Sequence, residues 1–267
     1  MLYGWQLLQI EMMTNNNSII HASAKIGKNV IIDNFCFIGP NVSIGDNCKI
    51  MSHVVITGNT IIGNNNVVYP FACIGTDPQD LKFKGEKNKI VIGNKNSIRE
   101  YVTIHPGTEH GGGITQIGNN CLLMISSHIA HDCFIGDSVI IANNVPIAGH
   151  CYIDNGAIIG GNSAVQQFCM IGKGAMIGGM TGVNKSILPH TLATGNRCVY
   201  ENLNLIGLKR NGHDNKVIND YKETIELFFK DRSKINVSEN SKNTLIKDLH
   251  FFLKKNNNKL ICTPLIK

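Results

Sequence analysis

An aliphatic residue recurs every six positions along most of the chain. Ile26, Ile32, Ile38, Ile44, Ile50, Ile56, Ile62, Val68 and Ile74 keep one phase, and Ile92, Ile98 and Ile104 resume it. After a slip of one residue the series runs on through Ile117, Leu123, Ile129, Ile135, Ile141, Ile147, Ile153, Ile159, Val165, Ile171, Ile177 and Val183, for twenty-four hexads in all. An amphipathic helix needs a period near 3.6, so this spacing excludes one. Period six fits short strands joined by tight turns, with three hexads closing a triangular coil of about 18 residues. Stacked coils form a parallel β-helix, each hydrogen-bonded to the next at a rise of roughly 4.8 Å. Gly follows many of the aliphatic residues (Ile26-Gly27, Ile38-Gly39, Ile44-Gly45, Ile135-Gly136, Ile171-Gly172). Gly and Asn are expected at the coil corners, where the turns need positive φ.

The pattern is broken twice. Residues 77–91, beginning Asp77-Pro78-Gln79-Asp80-Leu81-Lys82-Phe83, interrupt it but preserve its phase, and residues 110–116 insert and shift it. Loops ejected from a rigid scaffold are where binding groups usually sit. Near Pro189 the hexads stop and helical spacing replaces them. Val217, Ile218, Tyr221, Ile225 and Phe228 mark one apolar face, with Asp214 as its N-cap, and Leu245, Ile246, Leu249, Phe252 and Leu253 mark another. The expected organisation is an N-terminal extension over 1–17, with Met12 or Met13 as an alternative start, a β-helical domain over 18–190, and a helical domain over 191–267 that caps the open edge of the coils.

Composition narrows the class. A 43% hydrophobic share with only 16% charged residues excludes a disordered chain. The first twelve residues are apolar but lack a basic start and contain Glu11, which argues against a signal peptide. No run approaches the roughly 20 apolar residues of a membrane span. The nine Cys are odd in number and show no CxxC or Cys/His zinc spacing, so a cytoplasmic, reducing location is expected. Six of them, Cys36, Cys48, Cys121, Cys133, Cys151 and Cys169, fall four residues after a hexad's aliphatic position, a slot for small buried side chains. Of the net charge of +6, residues 199–267 carry +5, from 13 basic and 8 acidic residues. A basic tail suits nucleic acid, an acidic carrier protein or a phosphorylated small molecule equally, but no stretch has the character of a nucleic-acid arm, so no nucleic acid is expected.

Residues 18 apart stack on consecutive coils. His131, Gly149 and Gln167 therefore share one column, and Asp132, His150 and Phe168 the next, which clusters His131, Asp132, His150 and Gln167 at one corner. A His oriented by a neighbouring carboxylate suits general-base chemistry. Zinc is the competing use of such a cluster. In the gamma-class carbonic anhydrases two ligands sit five apart on one segment, whereas His128 and His131 are three apart and His105 lies on another segment, so no metal is expected.

The stretch Leu123-Met124-Ile125-Ser126-Ser127-His128-Ile129-Ala130-His131-Asp132-Cys133 resembles the active-site segment of the acyl-ACP:UDP-N-acetylglucosamine O-acyltransferases, the first enzymes of lipid A biosynthesis. So do Asp77-Pro78-Gln79-Asp80-Leu81-Lys82, Thr103-Ile104-His105-Pro106-Gly107-Thr108, Thr194-Gly195-Asn196-Arg197 and Leu205-Ile206-Gly207-Leu208-Lys209-Arg210. The similarity covers nearly everything from about residue 18 onward. It implies a left-handed β-helix and a homotrimer with active sites between neighbouring subunits. It implies His131 as the general base, Asp132 as the group that orients it, and the backbone N–H of Gly149 as the oxyanion donor. Asp80, Lys82, His128, His150 and Gln167 match positions that line the substrate cleft, and Asn204 and Arg210 match positions near the nucleotide or pantetheine. The partners implied are acyl carrier protein and UDP-N-acetylglucosamine, with no cofactor beyond the carrier's own phosphopantetheine. On residue type alone, Lys82 and Arg210 also read as solvated charges and Asn204 as a cap.

Gly161 and Gly179 stack 18 apart, and Gly179 matches the family's chain-length ruler; an open groove there predicts a longer 3-hydroxyacyl chain than a ten-carbon one. A plain corner role fits both glycines equally well. One departure is clear: Gln166 stands where the family usually has His, so no charge titrating near neutrality is available at that place. That puts sugar recognition in question and keeps N-acylation of a 3-amino sugar open. The sister N-acyltransferase carries a uridine-binding domain before its hexads, for which the start at Ile26 leaves no room.

Overall fold

The structure, a computed structural model, describes residues 17–235, 237–257 and 259–265. Apart from Asn17, the N-terminal extension lies outside these residues. The chain divides into two compact units, one ending at Asp132 and the other running from Cys133.

In the first unit nearly every hexad becomes a two-residue strand, as in Phe37–Ile38, Ser43–Ile44 and Lys49–Ile50. The strands stack into three parallel sheets. Phe37 pairs with Val55, Ser43 with Ile61 and Lys49 with Val67, the 18-residue offset that the hexads predict. Across the two ejected loops the offset lengthens: Cys73 pairs with Thr103 and Thr103 with His128. From Phe37–Ile38 onward the second residue of each two-residue strand in this unit points inward. Ile38, Ile50, Ile56, Ile74, Ile98 and Ile104 are all 0% exposed. The six expected Cys slots are buried as well.

The corners partly correct the sequence reading. Asn29, Asn41, Asn47, Asn65 and Asn120 do take the left-handed conformation, but so do Phe35, His53, Phe71 and Tyr101. A bulky residue pays roughly 1–2 kcal/mol there. Stacking offsets it: the four rings form a ladder with centroids 5.1, 4.9 and 5.1 Å apart. The Gly of the Ile-Gly pairs has a different role from the one expected. At Gly45 φ is not positive, and an added Cβ would lie 2.7 Å from the Gly63 carbonyl carbon of the next coil. Close approach between coils, not turn geometry, selects Gly there.

In the second unit the 18-residue offset returns, with Phe134 pairing with Tyr152, Tyr152 with Met170, and Ile158 with Met176. Strand structure then continues past the last hexad. Thr191–Thr194 runs parallel to Met176–Ile177, and Val199–Leu203 folds back antiparallel on it after the Thr194-Gly195-Asn196-Arg197 turn. Three helices follow, Leu205–Arg210, Asn215–Lys230 and Thr244–Asn256. The Asp214 carboxylate caps the second, accepting from Val217 N at 2.8 Å. Ile218, Tyr221, Ile225, Phe228, Leu245, Leu249 and Phe252 bury the two predicted apolar faces against Met170, Leu188, Leu203 and Leu208. Tyr221 donates its hydroxyl to Pro189 O at 2.7 Å, so even this large buried ring leaves no polar atom stranded. The final segment returns to the coils, where Ser186 N donates to Leu260 O and Cys262 N to Ser186 O, both at 2.8 Å. Among the described residues no helix is long and apolar enough to cross a membrane.

Candidate active site

The short strand His128–Ile129 places Ile129 in the core and turns the chain at His131 and Asp132. Asp132 sits at a corner with φ of 59°, a conformation that Asp tolerates better than most residues. His131 Nδ1 lies 2.8 Å from Asp132 Oδ2; the His side chain is 9% exposed and the carboxylate 0%. The carboxylate is held on its other side by the loop that the second insertion creates. Thr108 N donates to Oδ1 at 2.9 Å and to Oδ2 at 3.0 Å, and Thr108 Oγ1 donates to Oδ2 at 2.7 Å. Asp132 N donates to Thr115 Oγ1 at 2.9 Å. A carboxylate surrounded by donors is an acceptor, so the ring nitrogen facing it carries the proton and the imidazole lone pair lies on Nε2.

Two more histidines complete this corner of the first unit. His128 Nδ1 is 2.7 Å from Thr103 Oγ1, and the His105 ring meets the His128 ring edge-on at 4.8 Å. Desolvation, with the neighbouring His105 and His131, pushes His128 down to about 4. Burial likewise lowers His105. Both are therefore neutral near pH 7 and act as hydrogen-bonding groups rather than cations. His105 is 6% exposed and its Nδ1 has no hydrogen-bond partner. Asp80 and Lys82 are on the first ejected loop, where Asp80 Oδ1 accepts from Lys82 N at 3.0 Å and the Lys82 side chain is exposed.

In the second unit Gly149 is buried, and His150 follows it at a corner with its ring stacked on Phe168 at 4.7 Å. Gln166 and Gln167 are exposed beside that stack. Gly161 and Gly179 do stack: Met180 N donates to Gly161 O at 2.9 Å, and a Cβ on Gly179 would lie 3.3 Å from the same oxygen. Both glycines sit in corner turns, as a plain corner role has it, but neither has positive φ; the left-handed residues of those corners are Asn162 and Met180. Asn204 caps the Leu205–Arg210 helix, its Oδ1 accepting from Gly207 N and its Nδ2 donating to Gly174 O, both at 3.0 Å. Arg210 is exposed at the end of that helix.

Thr103, Thr108 and Thr115 were assigned no role from the sequence. Stacking by 18 misses them, because the inserted residues lengthen the offset: Thr103 pairs with His128, 25 residues on. Counting the slip in the hexad phase finds that pair.

Two profiles match the chain. One, described as bacterial transferase hexapeptide (six repeats), matches residues 41–76 and 114–149. The other, described as Udp N-acetylglucosamine O-acyltransferase; Domain 2, matches 187–261. The acyl-[acyl-carrier-protein]--UDP-N-acetylglucosamine O-acyltransferase of Rickettsia bellii is 46% identical over 261 residues, covering 94% of this chain and 93% of that protein. This chain belongs to that acyltransferase family. The enzyme of the same name from Thermodesulfovibrio yellowstonii is 45% identical over 82% of this chain and 84% of its own length. The UDP-N-acetylglucosamine acyltransferase structure from Bacteroides fragilis superposes with a TM-score of 0.84 at 38% identity, covering 96% of this chain and all (100%) of that one. The fold class is thus a left-handed parallel β-helix with a small C-terminal helical domain, as the repeats and the resemblance led one to expect.

Proposed function

We propose that this protein transfers a 3-hydroxyacyl chain from acyl carrier protein to the 3-hydroxyl of UDP-N-acetylglucosamine, opening lipid A biosynthesis. The observation that carries the chemistry is the buried His131–Asp132 pair in a member of this acyltransferase family. His131 Nε2 takes the proton of the sugar hydroxyl as that oxygen attacks the thioester carbonyl. The new C–O bond creates an oxyanion, which the backbone N–H of Gly149 receives. The C–S bond then breaks, and the pantetheine thiolate takes the proton back from the His131 imidazolium. Protons and electrons balance without a metal or an added cofactor. Asp80, Lys82, His128, His150, Gln166 and Gln167 line the sugar's cleft, and Arg210, with Asn204 at the start of its helix, serves the phosphates.

The protein works in the cytoplasm as a homotrimer with active sites between neighbouring subunits. The exposed ladder of Phe35, His53, Phe71 and Tyr101 gives the first unit an apolar surface of the kind that a subunit contact covers. The basic stretch 199–267 suits an acidic carrier protein. The test is a product assay in EDTA, offering UDP-N-acetylglucosamine or its 3-amino analogue with acyl carrier proteins bearing chains of several lengths. The 3-O-acyl ester is the expected product, at an undiminished rate. Amide formation with the amino sugar alone would overturn the acceptor, and loss of activity to the chelator would overturn the metal-free chemistry.

The same assay measures chain length. Gly179 lies exposed and needs no left-handed backbone, and an added Cβ meets Gly161 O at 3.3 Å, so a side chain there crowds the surface beside Gly161. Gly179→Met should shift preference toward a ten-carbon chain by roughly 10- to 200-fold, the range a few methylenes in an apolar groove supply. An unchanged preference would place the acyl chain elsewhere.

A further inference from the structure

We propose that the loop 107–113 is a clamp for the Asp132 carboxylate, with Thr108 as the positioning residue that sets the alignment of His131. The proposal rests on His131 acting as general base. Thr108 is 1% exposed and supplies two donors, its N–H spanning both carboxylate oxygens and its hydroxyl meeting Oδ2. Oδ2 is also the oxygen facing His131 Nδ1, so Thr108 Oγ1 and the imidazole converge on one atom. Rotation of the carboxylate breaks both contacts together.

The loop is built to hold that arrangement. Thr108 O accepts from Gly111 N at 3.0 Å and from Gly113 N at 2.8 Å, which closes the loop over the carboxylate. Gly112 and Gly113 take φ of 96° and 76° to make the turn. A Cβ on Gly111 would lie 1.9 Å from Asp132 Cγ, and one on Gly107 would lie 2.6 Å from Asp132 Oδ1. Neither place admits a side chain without displacing the carboxylate or the loop. From the opposite side, Thr115 Oγ1 fixes the Asp132 backbone. The insertion that shifts the hexad phase thus supplies the part of the site that orients the dyad. Orientation matters because proton transfer between the hydroxyl, Nε2 and the leaving thiolate needs one ring plane throughout.

The test is steady-state kinetics on full-length Thr108→Val, Thr108→Ser, Gly111→Ala, Asp132→Asn and the Thr108→Val/Asp132→Asn double variant, with His131→Ala alongside. Loss of one hydrogen bond to a charged group should lower kcat in Thr108→Val by roughly 10- to 100-fold, with KM for both substrates within about twofold. Thr108→Ser restores the hydroxyl and should recover kcat to within about threefold, whereas a merely structural threonine would not give that pattern. Gly111→Ala should reproduce the kcat loss with Thr108 intact, which keeps the clamp testable if the Val variant folds poorly. The double variant should be no slower than Asp132→Asn alone, since the clamp acts through that carboxylate. Near-wild-type kcat in Thr108→Val or Gly111→Ala beside an inactive His131→Ala overturns the clamp, as does a double variant whose losses multiply. Activity retained in His131→Ala removes the general-base reading itself, a separate outcome.

Discussion

His131→Ala should lower the acyl-transfer rate by roughly 10²- to 10⁴-fold, the usual contribution of a positioned general base. A sugar hydroxyl is a poor nucleophile at neutral pH, so losing the base that activates it slows the attack. His128 is engaged with Thr103, and the His105 ring packs edge-on against His128. Burial holds both below the ordinary imidazole range, which makes them weaker bases than an unperturbed His. The side chain is 9% exposed at a corner and not among the aliphatic residues of the core, so the folded protein should persist. Circular dichroism and the melting temperature should stay near wild type while turnover collapses. Turnover within about threefold of wild type would sink the assignment.

How far the site could be read in advance follows from the regularity of the coil. Where the 18-residue offset holds, arithmetic on the sequence places residues correctly: His150 does stack with Phe168, and Gly161 with Gly179. Where loops are ejected, the arithmetic fails by the length inserted. The sequence therefore assigns Thr108 no role, although it contacts the most buried carboxylate of the site. The helical faces around Tyr221 and Leu249 were legible because a 3.6 period is a strong signal. The helix Leu205–Arg210 was legible only through Asn204, which reads as a cap and is one, because the helix is too short to show a period. The abundance of Asn was legible in the sequence only at the coil corners. Its physical cause is twofold: left-handed corners such as Asn29, Asn47 and Asn65, and amides that cross-link neighbouring coils.

Those amides carry the second large prediction. Asn66 is 0% exposed and occupies the slot that in other coils holds Cys. Its Nδ2 donates to Gly63 O and Gly93 O, both at 2.8 Å, and its Oδ1 accepts from Asn96 N at 2.9 Å. Asn96 repeats the pattern one coil on, donating to Gly118 O at 2.9 Å and accepting from Cys121 N at 2.7 Å. The slot is therefore not only a place for small side chains. Cys48 Sγ reaches Gly63 O at 3.1 Å, and Ser163 Oγ both donates to Gly178 O at 2.9 Å and accepts from Thr181 N at 3.1 Å. These polar occupants supply donors to corner carbonyls, whereas Val54, Ala72 and Val145 fill the same slot with packing alone. Asn66→Leu keeps nearly the same shape and removes all three contacts in the closed interior, where water cannot replace them. At about 1–3 kcal/mol for each of the three stranded groups, the loss should total about 3–9 kcal/mol. Asn66→Ser keeps one donor and one acceptor and should cost less than half as much. Denaturant unfolding of the two variants measures the difference. If the Leu variant matched wild type, the coils would be held by aliphatic packing alone, and the amide ladder would be incidental to the fold.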